Sequence, residues 1–502
     1  DEERLEKIAK SMVIARGNKG LRHVGFFNIA ENICRGRRSY TAYVYPWGEQ
    51  DRHDSWESSN WSGNQRWIGT EVLSPSSLIE LQEIVSTKHK VRAIGSTHSF
   101  SPLFQDSKDG ILVSLRKMPR RLDINAANYT ITVDAGTTYS ELCYALSKTA
   151  FAIPMTASLP QFGIVGGVAT ATHGSSGMDK AGNLKTGGLA TAVVAMDIVG
   201  PDGEIRRVSR GDEGFEASVV SLGCVGIVVS VTLSLVDRFS VRQRVYGSWP
   251  PGDDERCNGQ LTSMLEFLPE AIQDCDAFSL FIDFSQDSSG MLVLKDFVPW
   301  EENDNCFSLQ SPATSLNGLP LMTEPITSFL EGSTYETTGL GPWYDKLGCW
   351  TKDAIPFGPQ EDAELQFEHF VPIEHVAEAL ERTKIVSEHW KNILYSEIRA
   401  VRSDNQLLSP YSFASSSGGL GISHGLRGEL GEARVVEAAA VIEEGLEDLG
   451  PRPHWGKLSA FKRSDFERAY GEKLVRFQEH RRIVDPNRKF TNSWIEENIL
   501  EL

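Results

Sequence analysis

The sequence predicts an α+β protein of two or three domains. Three observations carry that expectation. The chain has 502 residues, more than one hydrophobic core usually organises. Segments that alternate apolar and polar residues are interleaved with segments that open on helix caps. The composition also changes near residues 240–252. Before it the chain is β-branched and punctuated by glycine; residues 250–365 are rich in aromatics, Pro, Ser and Asp.

The elements follow in order. Ser74-Pro75 opens a helix through residue 85, with proline at a favoured first position. A strand follows over Val91–Ile94. Residues 129–135 alternate as a strand, and Thr138-x-x-Glu141 is the capping box of a helix through Ser147. Residues 190–199 and 205–208 flank Pro-Asp-Gly and read as a hairpin. The β-branched run 226–236 reads as a buried strand. Residues Gln366, Phe367, Glu368, His369 and Phe370 alternate and predict another strand, with helices near 373–391 and 432–449. No internal repeat is present.

Composition narrows the function. Hydrophobic content of 40% and charged content of 24% are those of an ordinary globular protein. A net charge of -18 argues against nucleic acid as a partner. No apolar run approaches the ~20 residues that span a bilayer, so a soluble or peripheral membrane location is expected. The chain opens on Asp1 rather than Met, which suggests processing or trimming, and it carries no secretory signal. Seven cysteines without a C-x-x-C pair argue against a disulfide framework and a zinc ribbon. Pairing within 257–349 stays open, and no metal site is predicted. The first forty residues hold nine Lys/Arg against five Asp/Glu. Leu5, Ile8, Met12 and Ala15 would share one helical face there, beside Arg4, Lys7 and Lys10. This basic extension, residues 1–55, reads either as a solvated helix packed on the body or as a membrane-surface or homo-oligomer contact.

Two glycine-rich stretches carry a histidine each. "VRAIGSTHSFSP" runs from Val91 to Pro102 and turns tightly at Gly95, Ser96 and Thr97 before His98 and Ser99. "ASLPQFGIVGGVATATHGSSG" runs from Ala157 to Gly177 and has no Asp, Glu, Lys or Arg. Its Gly166-Gly167 pair lets the backbone approach a ligand closely. Free N–H groups in such turns bind phosphate oxygens. A P-loop is absent and a dinucleotide-binding G-x-G-x-x-G is poorly supported. The ordinary alternative is a glycine-rich core loop with a satisfied histidine. Two such stretches point to a large phosphate-bearing cofactor.

Together with "NWSGNQRW", "SEIRAV", "PHWGK" and "DPNRKFTN", these stretches occur in the order found in flavoproteins of the vanillyl-alcohol-oxidase type. The chain resembles the alditol oxidase and sugar-lactone oxidase branch from about Asn60 to its C-terminus. The resemblance implies a two-subdomain FAD-binding domain over 56–245 and an α+β substrate (cap) domain with an antiparallel sheet over 246–455. Residues 456–502 would return to the FAD domain. It implies FAD bonded covalently through His98 to the flavin 8α-methyl carbon. Gly95, Ser96, Thr97 and Ser99 would hold the cofactor on one side. Ala157, Gly166, Gly167, Thr170, His173 and Gly174 would hold it on the other.

Oxidising an alcohol requires loss of a hydroxyl proton and transfer of a hydride, so a base and a cation are needed beside the flavin. Lys457 and Arg399 match the family's substrate-site pair, Lys457 as base where its surroundings lower its pKa and Arg399 as the fixed cation. Glu397 shares a strand face with Arg399, with an ordinary salt bridge as the alternative. The resemblance implies that Ser158 and His424 bind substrate hydroxyls, and that Ala157 lies near the flavin C4a. The expected activity is an FAD-dependent oxidase of primary alcohol groups that passes a hydride to flavin N5 and gives an aldehyde and hydrogen peroxide, with molecular oxygen as acceptor. The polar residues suit a polyol. The aromatics of 250–365 suggest instead an apolar channel for a long-chain aliphatic alcohol, towards which the expectation leans. A sugar-lactone oxidase or dehydrogenase is the alternative. A non-catalytic flavin-binding protein is a further one, which Glu397, Arg399 and Lys457 together oppose.

Overall fold

A computed structural model describes strands Phe27–Ile29 and Ser39–Val44 and then residues 59–500, apart from 105–109, 160, 249–259, 274, 283, 285–289, 301–311, 324–325, 328–333, 336–337, 349–363, 388–392 and 415. The expected N-terminal helix and the sites of Cys34, Cys257, Cys306 and Cys349 lie outside the described residues. Cys143, Cys224 and Cys275 are buried.

The first domain holds two sheets. In a small parallel sheet, strand Ile111–Ser114 lies between Val72–Leu73 and Val91–Ile94. Helix Leu78–Thr87 connects the outer two and buries Leu81 and Val85 against Val91, Ile111 and Val113. It begins later than the Ser74-Pro75 signal suggests, because the Ser77 side chain accepts from the Glu80 backbone N–H and so caps it. A seven-stranded antiparallel sheet packs nearby. Its order is Phe27–Ile29, Ser39–Val44, Arg120–Asn125, Thr130–Asp134, Ile227–Ser234, Val193–Val199 and Ile205–Ser209. The predicted hairpin forms, with Val199 opposite Ile205. The Thr138 capping box also forms, and Glu141 additionally pairs with Arg120 at 2.5 Å in the interior.

The second domain is an eight-stranded antiparallel sheet. Its order is Gly339–Pro342, Phe239–Ser248, Gly290–Pro299, Ala277–Ile282, Ile393–Arg402, Gly418–Leu426, Leu365–Pro372 and Arg452–Pro453. Strand Phe239–Ser248 belongs wholly to this sheet, so the domain boundary falls near residue 238 rather than 245. Helices Gln260–Gln273, Val376–Ser387 and Glu432–Gly445 cover one face. Strand Gly418–Leu426 sorts its residues by face. Leu420, Ile422 and Leu426 enter the core beneath the helices, while Gly419, Gly421, Ser423 and Gly425 leave the other face thin.

The C-terminal residues complete the first domain. Phe466, Phe477, Ile495, Ile499 and Leu500 share a core with Ile131, Val133 and Val231. The 485–492 turn lies along strand Val91–Ile94, with Val91 N–H donating to Lys489 O at 2.9 Å. Buried Arg92 holds three segments at once. It donates to Phe490 O at 2.6 Å, to Leu222 O at 2.8 Å and to Leu103 O. Arg92→Leu is expected to leave these carbonyls unpaired and to lower stability by about 3 kcal/mol or more, read as a shift of the urea unfolding midpoint.

Candidate active site

Strand Val91–Ile94 delivers the first glycine turn to a cleft between the domains. Gly95 has open space where a Cβ would stand, and Thr97 takes φ 53°, a costly conformation for a β-branched residue. His98 is held between rings. Its centroid lies 5.9 Å from Trp61, nearly parallel, and 4.8 Å from Phe162. Burial pulls the imidazole down to about 3, so it is neutral at pH 7. The 60–65 loop braces the turn. Trp61 N–H donates to Thr97 O at 2.9 Å, Asn60 Nδ2 to Ser99 O at 2.9 Å and Gln65 Nε2 to Phe100 O at 3.0 Å. Asn64 and Gln65 also donate to Glu432 Oε2, each at 2.8 Å, which ties this loop to the second domain.

The second glycine stretch faces the first. Gly163 N–H donates to Ser96 Oγ at 3.0 Å. Gly166 opens onto free space, whereas Gly167 packs against Thr172 and Tyr139. The cleft between them has a volume of about 340 Å³. Gly95, Ser96, Thr97, His98, Ser99, Gly166, Gly167, Thr170 and His173 all line it. So do Arg116 and the Ser221–Gly223 turn, which sequence reading missed. Arg116 donates to Gly95 O at 2.7 Å, and burial draws its guanidinium down to about 10, still a cation at pH 7. The Thr97 hydroxyl is buried without a hydrogen-bond partner among the described residues. A hydroxyl awaiting a partner, a cation and two open glycines suit the phosphates of a dinucleotide.

The far wall is the uncovered face of the eight-stranded sheet. Register sets Phe281 opposite Glu397, Glu397 opposite Ser423 and Ser423 opposite Glu368, a single row across four strands. Lys457, from the turn after Arg452–Pro453, reaches into this row. Its Nζ lies 2.7 Å from Glu368 Oε2 and donates to Ser423 Oγ at 2.7 Å. His173 Nε2 approaches Glu368 Oε1 at 3.2 Å. Arg399 Nη2 stands 3.9 Å from the same oxygen, and its Nε 3.5 Å from Glu397 Oε1. Arg399 Nη1 donates to Ser158 Oγ at 2.8 Å. Burial opposes charge on Glu368, but Lys457, His173 and Arg399 outweigh it and hold the carboxyl well below the usual range. Gly421 makes room for the cluster, since a Cβ there would stand 2.8 Å from Glu368 Oε1.

Glu397, Arg399, Lys457 and Ser158 therefore meet at one place, and Glu368 anchors them. Its position was legible as the middle of the alternating Gln366–Phe370 run, but its role needed the partners. His424 does not join them. It lies on the helix-covered face, buried, with Nδ1 2.7 Å from Ser396 Oγ and its ring against Phe367. Strand alternation puts Ser423, not its neighbour, towards the cleft. Ala157 is core, Gly174 packs against Met155 and Thr156, and neither lines the cleft. The expected apolar channel does not form from the described aromatics of 250–365. Phe281 reaches the cleft, while Phe278 and Phe284 are buried in the core beneath the helices. His173, Glu368 and His454 bring metal-type ligand atoms within 4.8 Å of one another, yet the Lys457 ammonium already balances that carboxylate.

Residues 71–209 match a family described as FAD binding domain, and residues 364–498 match D-arabinono-1,4-lactone oxidase. The chain is 29% identical to alditol oxidase of a Streptomyces species over 87% of this chain and 97% of that one. It is 24% identical to L-gulono-1,4-lactone dehydrogenase of Mycobacterium tuberculosis and to L-gulonolactone oxidase of Bos taurus, with the same coverage of both. Among solved structures, a histidine-to-alanine variant of Brevibacterium sterolicum cholesterol oxidase shares the fold, with TM-score 0.62 and 15% identity over 88% of this chain and 96% of that one. Among the described residues no helix is long and apolar enough to cross a membrane.

The buried histidines are expected to make the protein acid-sensitive. Burial pulls His98, His424 and His454 each to about 3. In the unfolded chain imidazole binds its proton near pH 6.5, so the unfolded state gains protons first as pH falls. Their contribution is complete above pH 6.5 and is lost towards pH 3, at about 1.4 kcal/mol per pH unit per histidine. The unfolding temperature is expected to fall steadily from pH 7 to pH 5, and His424→Gln to make that slope shallower.

Proposed function

We propose that this chain, a flavoprotein of the vanillyl-alcohol-oxidase type, oxidises a primary hydroxyl group of a polyol to the aldehyde, with oxygen reduced to hydrogen peroxide. The observation that carries this reading is the polar sheet face opposite the glycine turns. It offers two cations, Lys457 and Arg399, and the carboxylate Glu397 around Ser158. A hydroxyl-rich substrate satisfies such a wall, whereas an aliphatic chain would leave its polar groups unpaired. FAD supplies the hydride acceptor at its N5 atom.

The protein's own groups divide the remaining work. Ser158 and Arg399 orient the hydroxyl. The Lys457 ammonium, held by Glu368 and Ser423, donates towards oxygen and stabilises developing alkoxide charge. An ammonium has no lone pair to accept a proton, so Glu397 takes the hydroxyl proton in this reading. His98, neutral and fixed between two rings, has the lone pair that a bond to the flavin 8α-methyl carbon requires.

Greater identity to the alditol oxidase than to the lactone enzymes favours the polyol and oxygen. The match of residues 364–498 supports a second reading, oxidation of an aldono-1,4-lactone. Purified protein supplied with xylitol, L-gulono-1,4-lactone or 1-octanol in air is expected to give peroxide with xylitol. Flavin bleaching without peroxide would replace oxygen by another acceptor, and peroxide with octanol alone would overturn the polar-wall reading. Glu397→Gln and Lys457→Ala should each slow anaerobic flavin reduction by about 100-fold or more with flavin retained. His98→Ala should release its flavin on acid precipitation, whereas the parent keeps it in the pellet.

A further inference from the structure

The polar wall does not end at Lys457 and Arg399. One row further along the sheet, Tyr395 and Gln366 both pair in register with Gly425. Tyr395 precedes Glu397 by two residues and Gln366 precedes Glu368 by two, so both face the cleft. Glu364 joins them, and all three line it. The Tyr395 hydroxyl donates to Glu364 Oε1 at 2.5 Å. Gln366 Nε2 donates to the same oxygen at 2.5 Å and to Tyr395 Oη at 3.1 Å. Glu364 and Tyr395 are buried. The cluster exists because residue 425 is glycine. A Cβ there would stand 2.6 Å from Tyr395 Cε1 and 2.7 Å from Glu364 Oε1. No step of hydroxyl oxidation uses these groups.

Two residues along a strand advance about 7 Å. That separates this cluster from the reacting hydroxyl by roughly the length of a pentose- or hexose-sized carbon chain, and a three-carbon polyol is too short to reach it. We propose that Glu364, Gln366 and Tyr395 form a distal subsite that binds the far hydroxyl groups of a neutral five- or six-carbon substrate and disfavours one that ends in a carboxylate. The inference rests on the polyol reading above. Hydroxyl groups both donate and accept, which suits a carboxylate, an amide and a phenol set side by side. A carboxylate on the substrate would instead meet Glu364, with Lys457 and Arg399 held in the rows beyond.

The test compares holoenzyme and two variants on glycerol, xylitol and gluconate. In Tyr395→Phe the xylitol-to-glycerol ratio of kcat/KM is expected to fall about tenfold, as loss of one hydrogen bond to a charged network implies. The loss should appear in KM rather than kcat. Glu364→Gln should raise the gluconate-to-xylitol ratio. The rise in unfolding temperature given by xylitol under anaerobic conditions should shrink in both variants. An unchanged xylitol-to-glycerol ratio, or an equal loss on both polyols, would overturn the subsite while leaving the polyol reading intact. Wild-type protein that binds and oxidises no polyol would overturn both.

Discussion

A buried carboxylate governs this site. Glu368 lies on the cleft face of the sheet with Lys457, His173 and Arg399 around it. These groups arrive from four separate parts of the chain, so one charge holds four segments in one place. Withdrawing it would leave the partly buried Lys457 ammonium without its carboxylate, a change that costs up to about 3–5 kcal/mol where such a pair is fully buried. Charge balance also keeps the cations pre-oriented. Arg399 stays within reach of Ser158, and Lys457 keeps one face towards the cleft. Oriented charge of this kind stabilises a developing oxyanion without reorganising first.

The sheet makes that arrangement possible. An eight-stranded antiparallel sheet with helices on one face leaves the other available for chemistry, as strand alternation requires. Strand Gly418–Leu426 carries small residues on the cleft side, and glycine at 421 and 425 leaves room for Glu368 and for the Tyr395–Glu364 pair. Opposite it, the two glycine turns and Arg116 complete a cleft suited to a phosphate-bearing cofactor. The domains are coupled where they meet. Glu432, at the start of a cap helix, holds the loop that braces the His98 turn. Geometry at the cofactor and geometry at the substrate therefore depend on the same interface.

The local signals were legible along the chain. The Thr138 capping box, the Pro-Asp-Gly hairpin and the alternation at 366–370 each became the element they predict. The two glycine-rich stretches do line one cleft, and Glu397 with Arg399 does project from one strand face. His424 failed for a reason that a sequence pattern hides. Moving one residue along a strand reverses the face, so a histidine one place from Ser423 points into the core. The described aromatics of 250–365 failed differently, because hydrophobic content cannot distinguish a core from a channel wall. Glu368 was visible as a position, but a carboxylate has no special meaning until its cations are known.

What the sequence determined by itself was short-range or periodic. It settled the turns that free the backbone, the caps and the alternation along the strands, because each depends on neighbours within a few positions. Tertiary structure alone decided which faces meet. Register across four strands set Phe281, Glu397, Ser423 and Glu368 in one row, and Lys457 reached that row from a turn outside the four. The polarity of the wall arises in the same way. Whether a cleft is polar or apolar depends on long-range pairing, and that pairing is fixed by the packing energy of the whole sheet rather than by any segment of it.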